Sequence, residues 1–172
     1  MCLIVFAWQT HPKYPLIVLA NRDEFYHRPT QPIHWWEDYP NVLAGKDVAN
    51  SSDICGTWMG ITKSGRFSAI TNIRAPQEKN PNLRTRGELV TSYLISATPI
   101  DQHVQHYSKC INKYNGFNLI NADLNANCPQ MYWLSNRIFM GQVVKPKKII
   151  RPVRLTPGIY GLSNAQLDTP WP

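Results

Sequence analysis

Leu3-Ile-Val-Phe-Ala-Trp8 and Leu16-Ile-Val-Leu-Ala20 flank His11-Pro-Lys-Tyr-Pro15, and Asn21-Arg-Asp-Glu24 follows directly. Each apolar run has strand length and is rich in β-branched residues, and the segment between them carries two prolines. That pattern predicts a buried β-hairpin. With the turn centred near Pro12, Leu3 falls opposite Asn21 and Cys2 opposite Arg22. Four polar residues directly after a buried strand stand at the rim of a core, where sites usually lie.

Outward from this hairpin the chain alternates turns with short elements. Pro29, Pro32 and Pro40 forbid long regular structure, so residues 25–55 read as an irregular loop pinned by Trp35-Trp36. Residues 56–62 and 66–72 form a second hairpin around Lys63-Ser-Gly65, with Gly65 taking the positive φ. Val90, Tyr93, Leu94 and Ala97 make one helical stripe. Asp101 is placed to cap a second helix with Val104, Tyr107, Ile111 and Tyr114 inward, ended by Gly116. Further strands are expected near residues 117–121, 130–134, 148–153 and 159–162. Hairpins dominate, no β-α-β unit repeats, and no linker divides the chain. The expectation is one α+β domain over residues 1–172 with antiparallel sheet. Gly158-Ile-Tyr-Gly-Leu-Ser-Asn164 reads as a buried strand ending at a polar rim, with nothing after it to close the sheet. The fold is therefore expected to be incomplete at its C-terminal end.

The net charge is +7 for 172 residues, and Lys145, Lys147, Lys148, Arg151 and Arg154 supply five of the positive charges. That run leads into Ile149-Ile150 and reads as a strand edge guarded by lysines, not as a basic face for nucleic acid. Cys2, Cys55, Cys110 and Cys128 include no C-x-x-C pair and no histidine at zinc spacing, so no metal site is expected. They read as reduced thiols, which points to the cytoplasm. The apolar run at Leu3 lacks the basic flank of a secretory signal, and no stretch has the ~18–20 apolar residues of a membrane span.

Cys2 is the first candidate for chemistry. With Met1 removed it would carry a thiol and a free α-amine, whose reference pKa values, about 8.5 and 7.7–8.0, are close enough for the amine to take the thiol's proton. The alternative is that a small residue merely stands at position 2. Asn21, Arg22, Asp23 and Glu24 form the second candidate: Arg22 would stabilise a Cys2 thiolate and Asp23 would hold the ammonium of the chain start. The same four residues also fit a solvated turn with a local ion pair. Asn72 and Asn164 each end an expected strand, where an amide can donate to an oxyanion, although asparagine also favours such corners. His103 and His106 share a helical face without a third ligand, and Cys128-Pro129 has the form of an axial thiolate for haem inside what reads as a loop.

Met1-Cys-Leu-Ile, Ala20-Asn-Arg-Asp-Glu-Phe25 with Arg28-Pro29, Gly56-Thr-Trp-Met-Gly60, Gly65-Arg-Phe-Ser-Ala-Ile-Thr-Asn72, Arg86-Gly-Glu88 and Gly158–Asn164 with Thr169-Pro-Trp171 together resemble the NRDE family, also called the Transport and Golgi organisation 2 family. The resemblance covers nearly the whole chain, in order. It implies kinship with N-terminal-nucleophile hydrolases and their four-layer αββα sandwich. It implies Cys2 as nucleophile, Arg22 beside the thiol, Asp23 in support, and Asn72 and Asn164 at the oxyanion. The hydrolases space Arg and Asp three apart, whereas Arg22 and Asp23 are adjacent, and their late catalytic Arg has no counterpart here. Cys55 stands where the family commonly has Gly. The implied reaction is hydrolysis of a non-peptide C–N amide without a cofactor. The alternative is a carrier of haem or a lipid-like ligand, since family members are linked to secretory-pathway organisation, lipid metabolism and haem trafficking. Asn21, Trp35, Trp36 and Trp58 are the expected ligand-binding residues, the tryptophans as an apolar wall.

Overall fold

The computed structural model describes residues 2–49, 55–74, 80–107, 109–125, 127–140, 143–146 and 151–170. β1 (Leu3–Trp8) and β2 (Leu16–Asn21) form the predicted hairpin in the predicted register, Leu3 opposite Asn21 and Trp8 opposite Leu16, but β2 is half-buried to exposed along its length and not the buried strand expected. Next come β3 (Thr30–Trp35), β4 (Val42–Asp47), β5 (Met59–Thr62) and β6 (Arg66–Asn72). Helices α1 (Gly87–Leu94) and α2 (Ile100–Tyr107) precede β7 (Phe117–Asp123) and β8 (Gln130–Ser135). The chain continues through β9 (Arg137–Met140), β10 (Val143–Pro146), β11 (Val153–Arg154) and β12 (Gly158–Leu162). One sheet has the order β12-β1-β2, a second β11-β8-β7-β6-β5-β4-β3, and β9 and β10 form a ribbon. The architecture is α+β with antiparallel sheets.

The side-chain alternation of β6 and β7 explains the layering. Ile70, Phe117 and Leu119 pack with Leu89, Val90 and Tyr93 of α1, while Phe67, Ala69, Ile120 and Ala122 pack with Ile4, Phe6 and Trp8 of β1. Successive residues of a strand face opposite sides, so the seven-stranded sheet is buried between the helices and the three-stranded sheet. Its central strands carry two buried asparagines, each bonded on its own side. Asn121 accepts from Ser68 Oγ at 2.7 Å, and Asn118 Nδ2 donates to the Ala165 carbonyl at 2.6 Å. Leaving such an amide without partners costs about 1–3 kcal/mol. Among the described residues the layers number three. The outer face of the three-stranded sheet is uncovered, with Leu19 71% and Ile159 72% exposed.

Three expectations need correction. Residues 25–55 are not wholly irregular, since β3 and β4 lie within them. Pro32 is tolerated because β3 is an edge strand and its pairing with β4 shifts register between Gln31 and His34, where no ladder bond is needed. The second helix ends at Tyr107, not at Gly116; a 3-10 turn follows at Ile111–Lys113 and Tyr114 is extended. The 113–114 backbone pairs with Arg84, whose N–H donates to the Lys113 carbonyl, and this seats the Tyr114 hydroxyl on the Glu88 carboxylate at 2.5 Å. The first helix starts earlier than its apolar stripe, at Gly87, and ends at Leu94, before Ala97. Lys145 lies exposed on β10, opposite Ile138; of the strand expected at 148–153, residues 148–150 lie outside the described residues.

The Arg86-Gly-Glu88 motif has a steric cause. A side chain at Gly87 would come within 3.0 Å of the Thr57 backbone N and O and 3.1 Å of Gly56 Cα. The start of α1 therefore rests on the Gly56-Thr57 backbone, with Thr57 N–H donating to the Gly87 carbonyl at 3.3 Å. Backbone cannot give way as a flexible side chain can. Gly87→Ala is expected to lower stability by about 1–3 kcal/mol, read as a lower urea midpoint; an unchanged midpoint would show that α1 is not seated this closely.

Candidate active site

Because β1 runs antiparallel to both neighbours, its first residue lies beside the last residues of β2 and β12. Ser163 Oγ donates to the Cys2 carbonyl at 2.8 Å, and Asn21 Oδ1 accepts the Leu3 N–H at 3.0 Å. The end of β6 joins them from the other sheet. Thr71 Oγ1 donates to the Ser163 carbonyl at 2.6 Å, Asn164 Nδ2 to the Asn72 carbonyl at 2.7 Å, and Arg74 N–H to the Asn164 carbonyl at 3.2 Å. Residues 162 positions apart in sequence meet at one edge.

A cleft of about 580 Å³ opens there. Of the expected site residues, Cys2, Asn21, Arg22, Asp23, Asn72 and Trp58 line it. Asn164 does not; it meets the site through its bond to the Asn72 backbone, and its Oδ1 is buried without a partner among the described residues. Trp35 and Trp36 are not wall residues either. Trp36 is 1% exposed, packs in the core beneath the helices and donates its indole N–H to the Ala44 carbonyl at 3.0 Å. Trp35 is 47% exposed on β3, with Lys63 Nζ 4.8 Å from its ring centre. Trp36 directly follows β3 and turns inward where Trp35 turns outward, and neither lines the cleft.

The Cys2 sulfur lies 3.8 Å from the Asp23 carbonyl. Burial pushes its thiol above the ordinary range; the Arg22 and Arg74 guanidiniums pull it down and the Glu24 carboxylate pushes it up. The thiol is therefore protonated at neutral pH, and chemistry at sulfur needs a base. The Arg22 guanidinium stacks over Trp58, 4.5 Å from the ring centre, and reaches Glu24 at 3.7 Å and Asp47 at 3.9 Å. Asp47 is the hub of this wall: Arg28 grips it through Nε and Nη2 at 2.9–3.2 Å. On the opposite wall Arg84 Nε meets Glu88 at 2.6 Å, and Arg86 Nη1 donates to the Gly116 carbonyl at 3.0 Å. Burial lowers the Arg86 pKa, Arg28 and Arg137 lower it further, and Glu24 opposes them.

A family model described as Transport and Golgi organisation 2 matches residues 1–172. The chain belongs to that family. It is 42% identical over 99% of its length to a Transport and Golgi organization protein 2 homolog of Bos taurus, and 39% identical over 99% to the Homo sapiens homolog. The chain spans 59% of the length of each of these relatives. A Saccharomyces cerevisiae protein is 34% identical over 67% of the chain.

In this Transport and Golgi organisation 2 chain, sequence reasoning did not single out Asp47, because it falls in the stretch read as irregular. Arg86 and Glu88 were visible only as a resemblance block; their roles depend on Tyr114 and Gly116, far along the chain. Cys128 is exposed in the β7–β8 connection, with Arg154 Nη2 3.7 Å from its sulfur, and does not line the cleft. His103 Nε2 lies 2.9 Å from the Tyr107 hydroxyl beneath the helices, and burial lowers its pKa to about 4. All four cysteines are free thiols, and among the described residues no helix is long and apolar enough to cross a membrane.

The raised Cys2 pKa sets a pH dependence. Only thiolate is alkylated, so at pH 7 iodoacetamide should label Cys2 of protein retaining Met1 more slowly than free N-acetylcysteine. Its rate should still be rising with pH where that of the free thiol has levelled off. Peptide mapping by mass spectrometry checks this; a Cys2 rate that levels off before the free thiol's would contradict it.

Proposed function

We propose that the cleft is an amidase site of the N-terminal-nucleophile kind, in which Cys2 freed of Met1 hydrolyses a non-peptide C–N amide bond. The observation that carries the reading is the convergence of Cys2, Arg22, Asp23 and Asn72 on one cleft from strand ends scattered along the chain. Scattered polar groups that meet in a concave site are the mark of a functional centre. In this reading the described layers are three of the four in an αββα sandwich. The four free thiols fit a reducing compartment such as the cytoplasm.

The chemistry balances without a cofactor. The Cys2 α-amine takes the thiol proton as Sγ attacks the amide carbonyl, and the Asn72 amide donates to the resulting oxyanion. The ammonium then gives its proton to the leaving nitrogen, the C–N bond breaks and an amine departs from a thioester. A water molecule adds to the thioester, giving its proton to the α-amine. The C–S bond breaks, the thiolate regains that proton, and a carboxylic acid leaves. Arg22, held by Trp58, Glu24 and Asp47, stabilises negative charge at sulfur. Asn164 is a positioning residue that fixes the Asn72 backbone, and its unpartnered Oδ1 suits it to accept from a liberated α-amine. The carrier alternative, with haem or a lipid-like ligand in the same cleft, has less support. Seven charged side chains stand on the wall, and Trp58 alone of the three expected tryptophans faces it.

A panel of acyl amides tested with intact protein and with Cys2→Ala decides between them. Turnover should fall by roughly three orders of magnitude or more in the variant. Intact mass should show Met1 absent and a transient acyl adduct on Cys2. Turnover that survives Cys2→Ala, or a protein that retains Met1 and hydrolyses nothing in the panel, would overturn the reading.

A further inference from the structure

Four arginines line the cleft, and three have carboxylate partners. Arg28 is on Asp47, Arg22 is shared between Glu24 and Asp47, and Arg84 is on Glu88. Arg86 differs. Among the described residues its one side-chain hydrogen bond goes to a neutral acceptor, the Gly116 carbonyl, and no carboxylate lies within ion-pair distance. It is half-buried, and its neighbours Arg28 and Arg137 add like charge. A cation withdrawn from water with only a carbonyl for a partner is costly unless something anionic reaches it. Its fork has further N–H donors, and Arg86 lines the same cavity as the Cys2 thiol.

We propose that Arg86 is the counter-ion for a carboxylate on the ligand, so that the cleft selects small acyl amides bearing one carboxylate; this rests on the amidase reading above. The charge in the cleft favours a monoanion. Glu24 and Asp47 offset Arg22 and Arg28, and Glu88 offsets Arg84, so Arg86 is the lining arginine with no carboxylate beside it among the described residues, and the lining carboxylates repel a dianion such as a phosphate ester more strongly. A planar carboxylate also matches the guanidinium fork. Position is fixed from both sides. Glu88, two residues on, is held by Arg84 and Tyr114, and Gly87 is seated on Gly56-Thr57, so Arg86 cannot drift from the cleft.

The test uses two thiol reagents that differ chiefly in charge, iodoacetate and iodoacetamide, at low salt. The readout is their rate ratio at Cys2 relative to the same ratio for free N-acetylcysteine. A cation aimed into the cleft should raise the normalised ratio at least tenfold in the intact protein. Arg86→Gln should return it close to one, and Arg86→Lys should leave an intermediate value. An intact-protein ratio equal to that of the free thiol overturns the proposal whether or not a variant folds, as does an enhancement that survives Arg86→Gln. Amide turnover is scored separately. Anion preference without hydrolysis sinks the amidase reading alone, and Cys2-dependent hydrolysis without anion preference sinks this proposal alone.

Discussion

β1 is flanked on both sides by strands running against it, and the geometry of the cleft follows from that pairing. An antiparallel neighbour brings its last residue to the first residue of its partner. Cys2 is thus delivered between Arg22 and Asn164 with no special loop. The second sheet adds Asn72 because Thr71, Asn164 and Arg74 stitch the end of β6 to the end of β12. Any slip of β1 by one residue would turn Ile4, Phe6 and Trp8 out of the inter-sheet core, so apolar burial also fixes where the thiol stands. Fully burying side chains of that size is worth about 1.5–3 kcal/mol each.

The cleft wall is an ion lattice, in contrast to the apolar layers behind it. Asp47 at the end of β4 ties Arg28 and Arg22, and Trp58 covers the Arg22 guanidinium. Trp58 is itself held against the sheet. A side chain at Gly45 would come within 2.5 Å of its ring, so the bare backbone at that position makes room for the ring that orients Arg22. The polarity of the cleft thus depends on packing in a strand that the sequence, with its prolines, gave little reason to expect.

Legibility in the sequence tracked how local each determinant was. The first hairpin and its register were readable because two apolar runs and a proline turn lie within about twenty residues. Gly65, at φ +81°, was readable for the same reason. β3 was hidden because Pro32 excludes a central strand but not an edge strand with a register shift. The end of α2 was hidden because Tyr114 lies on the helical stripe, and only Glu88, 26 residues back, calls it into extended backbone. Trp35 and Trp36 look alike in the sequence, and one is core while the other is surface. The convergence of Cys2, Arg22 and Asn72 was expected from strand ends alone, whereas Asp47 and Arg86 take their roles from partners distant along the chain.

The pairing of β1 with β12 also sets an order of events in time. During synthesis β1 and β2 emerge together, but β12 is made about 150 residues later, which at 5–20 residues per second is roughly 8–30 s. Through that interval the β1–β2 hairpin is an open edge, Asn72 lacks its Asn164 donor, and the Cys2 carbonyl lacks the Ser163 hydroxyl. A two-stranded hairpin is marginal in water until a further layer covers it. The cleft is therefore completed only once β12 has been made, and Cys2 stays accessible until the strand before Ser163 docks.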